Sequence, residues 1–155
     1  MLNPPMQYSK MGLSLTEAFE GVRLVAYQDS GGVWTIGYGH TQGVYPGMTC
    51  LPQQAFAWLQ SDTLAAQSAV NQLVNVALTQ PEFDALTDFV FNLGTTAFAR
   101  STLLRLLNSG DYAAAANEFE RWDLCNGQVV AGLLRRRQAE EAEFNVSIHA
   151  PTERI

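Results

Sequence analysis

The sequence predicts an α+β fold: a small lobe with a β-hairpin, joined by a long helix to a mostly helical lobe. Three observations predict it. The stretch richest in β-formers and glycine lies between Leu24 and His40. Apolar residues spaced by three and four run from Phe56 to Leu73. From Pro81 to Phe144 the patterned segments all have helical periodicity. A chain of 155 residues, 47% of them hydrophobic, can bury such a core without disulfide staples.

Each element has a local reason. Leu15, Ala18, Phe19 and Val22 share one stripe, which predicts a helix over Leu13–Val22 started by Ser14 or Thr16. Ser30-Gly31-Gly32 is a turn signal between two extended runs, hence the hairpin. Pro52 suits a first helical turn, and Phe56, Leu59, Thr63, Ala66, Val70 and Leu73 continue it as one helix of about six turns. Phe83, Leu86, Val90 and Leu93 form a further stripe ended by Gly94. Thr102–Asn108 is a short helix, Asp111 caps a helix over Tyr112–Trp122, and Gly127 and Gly132 punctuate a loop. A last helix is expected to end at Phe144. The domain reading is a segment 1–12, a catalytic domain 13–144 of two lobes with a cleft between them, and a disordered tail 145–155.

Composition excludes several classes of function. A net charge of −6 argues against a nucleic-acid partner, because phosphate binding needs a basic surface. No run approaches the roughly 18 apolar residues of a membrane span, and neither a leader nor an anchor is expected. Cys50 and Cys125 lack metal-type spacing and read as ordinary buried thiols rather than a bridge. The basic run Arg135-Arg136-Arg137 reads as a solvated helix face paired with Glu140 and Glu141.

The chemistry concentrates between Glu20 and His40. Glu20 ends a helix beside Phe19 and Val22, apolar neighbours that favour a proton-bearing acid. Asp29 sits at a glycine turn, where water keeps it ionised. Glycoside hydrolysis needs such a pair, one group to protonate the leaving oxygen and one to stay charged. Strand alternation places Thr35, Gly37 and Gly39 on one face, bare enough for a sugar chain to approach. Taken singly the signals are weak: an aspartate before Ser-Gly-Gly is more often a turn former, and a glutamate at a helix end is more often solvated. Their conjunction carries the weight.

That string resembles the catalytic signature of the phage-type lysozymes, the endolysins of glycoside hydrolase family 24, nearest to the lambdoid-phage branch. The family shows Glu, eight residues, Asp, five residues, Thr, then Ile-Gly-x-Gly-His, and Glu20, Asp29, Thr35 and Ile36-Gly37-Tyr38-Gly39-His40 fit without a gap. Similarity continues through Phe91-Asn92-Leu93-Gly94, Ser101-Thr102-Leu103-Leu104, Arg121-Trp122 and Gly132 to Arg137, so it covers Leu13 to Phe144. The resemblance implies cleavage of the β-1,4 bond between N-acetylmuramic acid and N-acetylglucosamine in peptidoglycan, for host lysis at the end of a phage cycle. It implies Glu20 as general acid and Asp29 and Thr35 as the pair that positions water, with inversion. It also implies substrate contacts at Gly37, Tyr38, Phe91 and Asn92 and an ion pair between His40 and Asp62. Asn92 is the candidate for an acetamido group, and a helix C-cap is its plainer role.

No metal or cofactor is expected. The expected state is a monomer, held in the host cytoplasm until a holin releases it to the periplasm and wall. Two other functions remain open from sequence: a lytic transglycosylase acting on the same bond, and an inactive peptidoglycan-binding module. Intact Asp29 and Thr35 favour hydrolysis over the first, and Glu20 is not needed by the second.

Overall fold

The computed structural model describes residues 4–125 and 127–146. Its elements run α1 (Lys10–Glu20), β1 (Arg23–Gln28), β2 (Trp34–Gly37), α2 (Pro52–Asp62), α3 (Leu64–Leu73), α4 (Gln80–Leu93), α5 (Thr95–Ala99), α6 (Thr102–Asn108), α7 (Tyr112–Ala116), a 3-10 turn (Phe119–Arg121), β3 (Leu124–Cys125), β4 (Gln128–Val129) and α8 (Ala131–Phe144). The fold is α+β and lysozyme-like, as expected. The chain divides into two compact units, Leu13–Ala65 and the remainder.

In the first unit, β1 pairs antiparallel with β2, with Tyr27 opposite Thr35 and Gln28 opposite Trp34. The turn between them is closed by Gly32 N–H donating to the Asp29 carbonyl at 2.9 Å. Met48–Cys50 runs along the other edge of β1, through Ala26 N–H to the Met48 carbonyl and Cys50 N–H to the Leu24 carbonyl. Apolar burial here is modest: Leu13, Ile36, Ala55 and Leu59.

The second unit packs α3 to α8 around Phe89, which meets Phe98, Phe119 and Trp122 edge-on at centroid distances of 5.4 to 6.2 Å. Such edge-on pairs add to the area term of aromatic burial. The helix α4 is buried along all of Phe83–Val90, not on one stripe only. Its start is secured by a capping box: Thr79 accepts from Glu82 N–H, and Glu82 accepts from Thr79 N–H. The N-terminal segment is tied to this unit. Asn71 exchanges two bonds with the Met6 backbone, and Asp84 accepts from Ser9.

Several boundaries differ from expectation. The helix α1 starts at Lys10, three residues early, because Ser9 caps it by accepting from Gly12 N–H. Ser14 and Thr16 therefore lie inside the helix rather than at its cap. The six-turn helix is two helices broken at Thr63, whose hydroxyl donates to the Gln60 carbonyl and so competes with the helix ladder. Asp111 does cap α7, but that helix ends at Ala116 and continues only as the 3-10 turn. Gly132 lies within the first turn of α8, not in a loop. The five-residue α5 and the two-residue strands β3 and β4 are too short for periodicity to register. Of the tail expected to be disordered, Asn145 caps α8 and residues 147–155 lie outside the described residues.

Candidate active site

Glu20 is the last residue of α1. The helix stops there because Gly21 takes a positive φ of 68°, with its N–H on the Glu17 carbonyl. Glu20 is half-buried. Gly39, also at positive φ, stands directly beside it: a Cβ at that position would lie 3.2 Å from Glu20 Oε1. A glycine there spares this carboxyl a close contact.

Asp29 is exposed at the hairpin turn. One oxygen, Oδ1, accepts from Gly31 N–H at 2.8 Å and Val33 N–H at 2.9 Å. Thr35 is buried, and its hydroxyl donates to the Val33 carbonyl at 2.9 Å. One residue, Val33, thus links the two side chains, through its N–H and its carbonyl. Asp29 is both a turn former and a candidate catalytic group, so the plainer reading and the chemical one hold together.

The strand alternation expected through Gly39 stops at Gly37. A φ of 66° turns the chain there, and Ile36 and His40 exchange backbone hydrogen bonds at 2.9 Å around a Gly37-Tyr38-Gly39 turn. Gly37 is buried, and a Cβ on it would sit 3.3 Å from Ala55 Cβ on α2. Its bareness serves packing against a helix as directly as it could serve a sugar. His40 Nδ1 lies 2.8 Å from Asp62 Oδ2, in the pairing expected, and its ring stacks on Trp58 at 4.5 Å with an interplanar angle of 2°. Tyr38 is half-buried, in the same unit as Glu17, one helical turn before Glu20. Burial, and then the Glu17 carboxylate, push that phenol upward from its ordinary range.

Phe91 and Asn92 lie half-buried near the end of α4. Asn92 is not the C-cap, which is Gly94. Its Oδ1 accepts from Arg137 Nη2 at 2.8 Å. The arginine run is not a solvated face: Arg135 is exposed, but Arg136 and Arg137 are buried. Arg136 makes two bonds to Asp88, at 2.8 and 2.9 Å, and Arg137 Nε lies 2.8 Å from Glu140 Oε1. Burial, and then Asp88, push the Glu140 carboxyl well above its ordinary range, while burial pulls the Arg137 guanidinium down. The reason for the difference is Asp88, which faces α8 from inside α4 and draws the arginines inward.

Glu17 and Trp58 are the residues that sequence reasoning missed in the first unit. Both were within reach, at three positions before Glu20 and four before Asp62, on shared helix faces. The cysteines are free, but Cys50 is only half-buried and Cys125 is exposed, so neither is the buried thiol expected. Among the described residues no group of three His, Cys, Asp or Glu side chains could hold a metal, and no helix is long and apolar enough to cross a membrane.

A family model described as phage lysozyme matches residues 17–140. An endolysin of Acyrthosiphon pisum secondary endosymbiont phage 1 is 45% identical over 143 residues, covering 90% of this chain and 98% of that protein. Among solved structures, the muramidase domain of SpmX from Asticaccaulis excentricus superposes with a TM-score of 0.86 at 41% identity, over 91% of this chain and 99% of that one. A P22 lysozyme variant gives 0.83 at 40% identity, over 90% and 98%.

Proposed function

The chain belongs to the phage lysozyme family, and from that premise we propose that it is an endolysin that hydrolyses the β-1,4 bond between N-acetylmuramic acid and N-acetylglucosamine in peptidoglycan. Glu20 protonates the leaving oxygen. Asp29 and Thr35 hold the attacking water on the opposite face of the sugar, and the product is inverted. The Gly37-Tyr38-Gly39 turn, Phe91 and Asn92 contact the glycan. In this reading the Asn92 amide nitrogen donates to an acetamido carbonyl, because its oxygen is taken by Arg137. Release from the host cytoplasm to the wall by a holin completes the lytic role.

The observation that carries the reading is the half-buried Glu20 carboxyl lodged against a glycine turn, with Asp29 and Thr35 linked through one residue, Val33, of the adjoining hairpin. An acid with a bare backbone beside it can meet a bulky polymer. A carboxylate anchored through Oδ1 keeps its second oxygen for water.

Mass spectrometry of purified peptidoglycan after digestion tests this. Muropeptides with reducing muramic acid ends are expected, with a rate about 10²- to 10⁴-fold lower for Glu20→Gln. Anhydro ends would replace hydrolysis by transglycosylation. Binding without any product would make the chain a wall-binding module.

A further inference from the structure

The two ends of an asparagine amide are alike in shape, so packing alone does not choose which end points outward. Its hydrogen-bond neighbours choose. Asn92 stands half-buried, one residue before the end of α4, and Arg137 Nη2 lies 2.8 Å from its Oδ1. A guanidinium donates and never accepts, so the amide oxygen must face Arg137 and the nitrogen must face away. Arg137 is itself held. It is fully buried, its Nη2 also donates to Glu140 Oε2 at 3.0 Å, and its Nε lies 2.8 Å from Glu140 Oε1. Its guanidinium carbon sits 5.3 Å from the centroid of the Phe89 ring. The two protons of Nη2 are thus shared between Asn92 and Glu140.

We propose that Arg137 is a positioning residue that makes the Asn92 amide a fixed outward donor, and that the chain thereby selects glycan with intact acetamido groups over glycan whose amines are free. This rests on Asn92 meeting the glycan. An acetamido carbonyl accepts from the Asn92 nitrogen. A de-N-acetylated sugar offers an ammonium in its place, which can only donate. Two donors then face each other, and the site rejects that sugar by an unpaired contact rather than by size. An amide free to turn could offer its oxygen to the ammonium and its nitrogen to the carbonyl. The amide held by Arg137 offers only the nitrogen.

The test measures kcat/KM for native and for de-N-acetylated soluble glycan strands and takes their ratio, from which any loss of folded protein cancels. Asn92→Ala should lower the preference for native strands about tenfold, through KM rather than kcat. Arg137→Met, combined with Glu140→Gln so that no carboxylate is stranded, should lower it as far, and adding Asn92→Ala should lower it no further. Arg137→Lys, which still donates, should keep most of the preference. Asn92→Asp keeps an acceptor for Arg137 but turns an oxygen outward, so its preference should fall below that of Asn92→Ala; this variant carries the test if Arg137→Met/Glu140→Gln does not fold. The Asn92 side-chain amide resonances give a readout independent of turnover: they should hold their positions in Arg137→Lys and move toward free-asparagine values in Arg137→Met/Glu140→Gln. An unmoved ratio in Arg137→Met/Glu140→Gln or in Asn92→Asp, or multiplied losses on adding Asn92→Ala, would overturn the proposal. An unmoved ratio and KM in Asn92→Ala would overturn it at its root, by removing Asn92 from the glycan. Failure of the hydrolase reading looks different, as anhydro ends or no product with the unmodified chain, and the Asn92 resonances would still decide whether Arg137 holds the amide.

Discussion

The two compact units handle polar groups in opposite ways. Within Leu13–Ala65 the carboxyls at issue stand half-buried or exposed, beside glycines, over a small apolar core. In the second unit a cluster of phenylalanines encloses Asp88, Arg136, Arg137 and Glu140, all buried and paired with one another. One unit leaves its carboxyls open to solvent, and the other pairs its charges with one another inside. Charge in the first should therefore govern rate, and charge in the second should govern stability and order.

Removing Arg136 should break this comparison most severely if it is wrong. Arg136→Ala leaves Asp88 buried without its bidentate partner, beside a second carboxyl at Glu140. Stripping one partner from a buried pair costs about 3–5 kcal/mol. Urea unfolding should show that loss, while turnover per folded molecule stays within about twofold. A catalytic defect in fully folded protein would show that the second unit's charges take part in the reaction.

The same contrast explains what the sequence made legible. Glu20, Asp29, Thr35 and His40 lie within 21 consecutive residues and are set by local devices, namely a helix end, a glycine turn and a hairpin. Local devices leave local signatures, so the catalytic candidates could be read directly, whereas the His40–Asp62 pair, 22 positions apart, was legible only through the family resemblance. The arginine cluster joins α4 to α8 across 48 positions. Nothing near Arg136 announces Asp88, and a polar α8 read by its own periodicity looks solvated. The break at Thr63 escaped for another reason: the apolar spacing passes through it unbroken, and only a side-chain bond to Gln60 marks it. Gly37 was legible as a required glycine but not for its packing on α2, because strand alternation was carried past the point where the strand ends.

A subtler test uses pH. Glu140 keeps its proton in the folded protein to a pH well above its ordinary 4.5, through burial first and then the hydrogen bond and charge of Asp88, against the pull of Arg137 and Arg136. Below the unfolded value both states hold the proton, and the contribution is fully present. As pH rises toward the raised folded value, the unfolded chain loses its proton first, and stability falls. The wild-type protein should therefore lose stability from about pH 5 upward, and Glu140→Gln should flatten that slope, with little change near pH 4. Glu141 and Glu143, both raised by burial and by neighbouring carboxyls, add a weaker trend of the same sign that the variant would leave in place. An unchanged slope would mean that the cluster holds Glu140 as an anion.

The smallest effect separates two reasons for one glycine. If Gly37 is bare only to admit a sugar, Gly37→Ala should raise KM and leave folding untouched. The geometry expects otherwise. A φ of 66° costs a residue with a Cβ about 1–2 kcal/mol, and the new methyl would press on Ala55 Cβ at 3.3 Å, with Trp58 at 3.5 Å behind it. Stability should fall by about that amount in urea unfolding. Turnover should fall as well, because the turn cannot back away from α2 without carrying Gly39 away from Glu20. Adding Ala55→Gly relieves the contact but not the φ, so it should recover turnover more than stability. Recovery of both together would assign the defect to crowding alone, and recovery of neither would return Gly37 to the sugar.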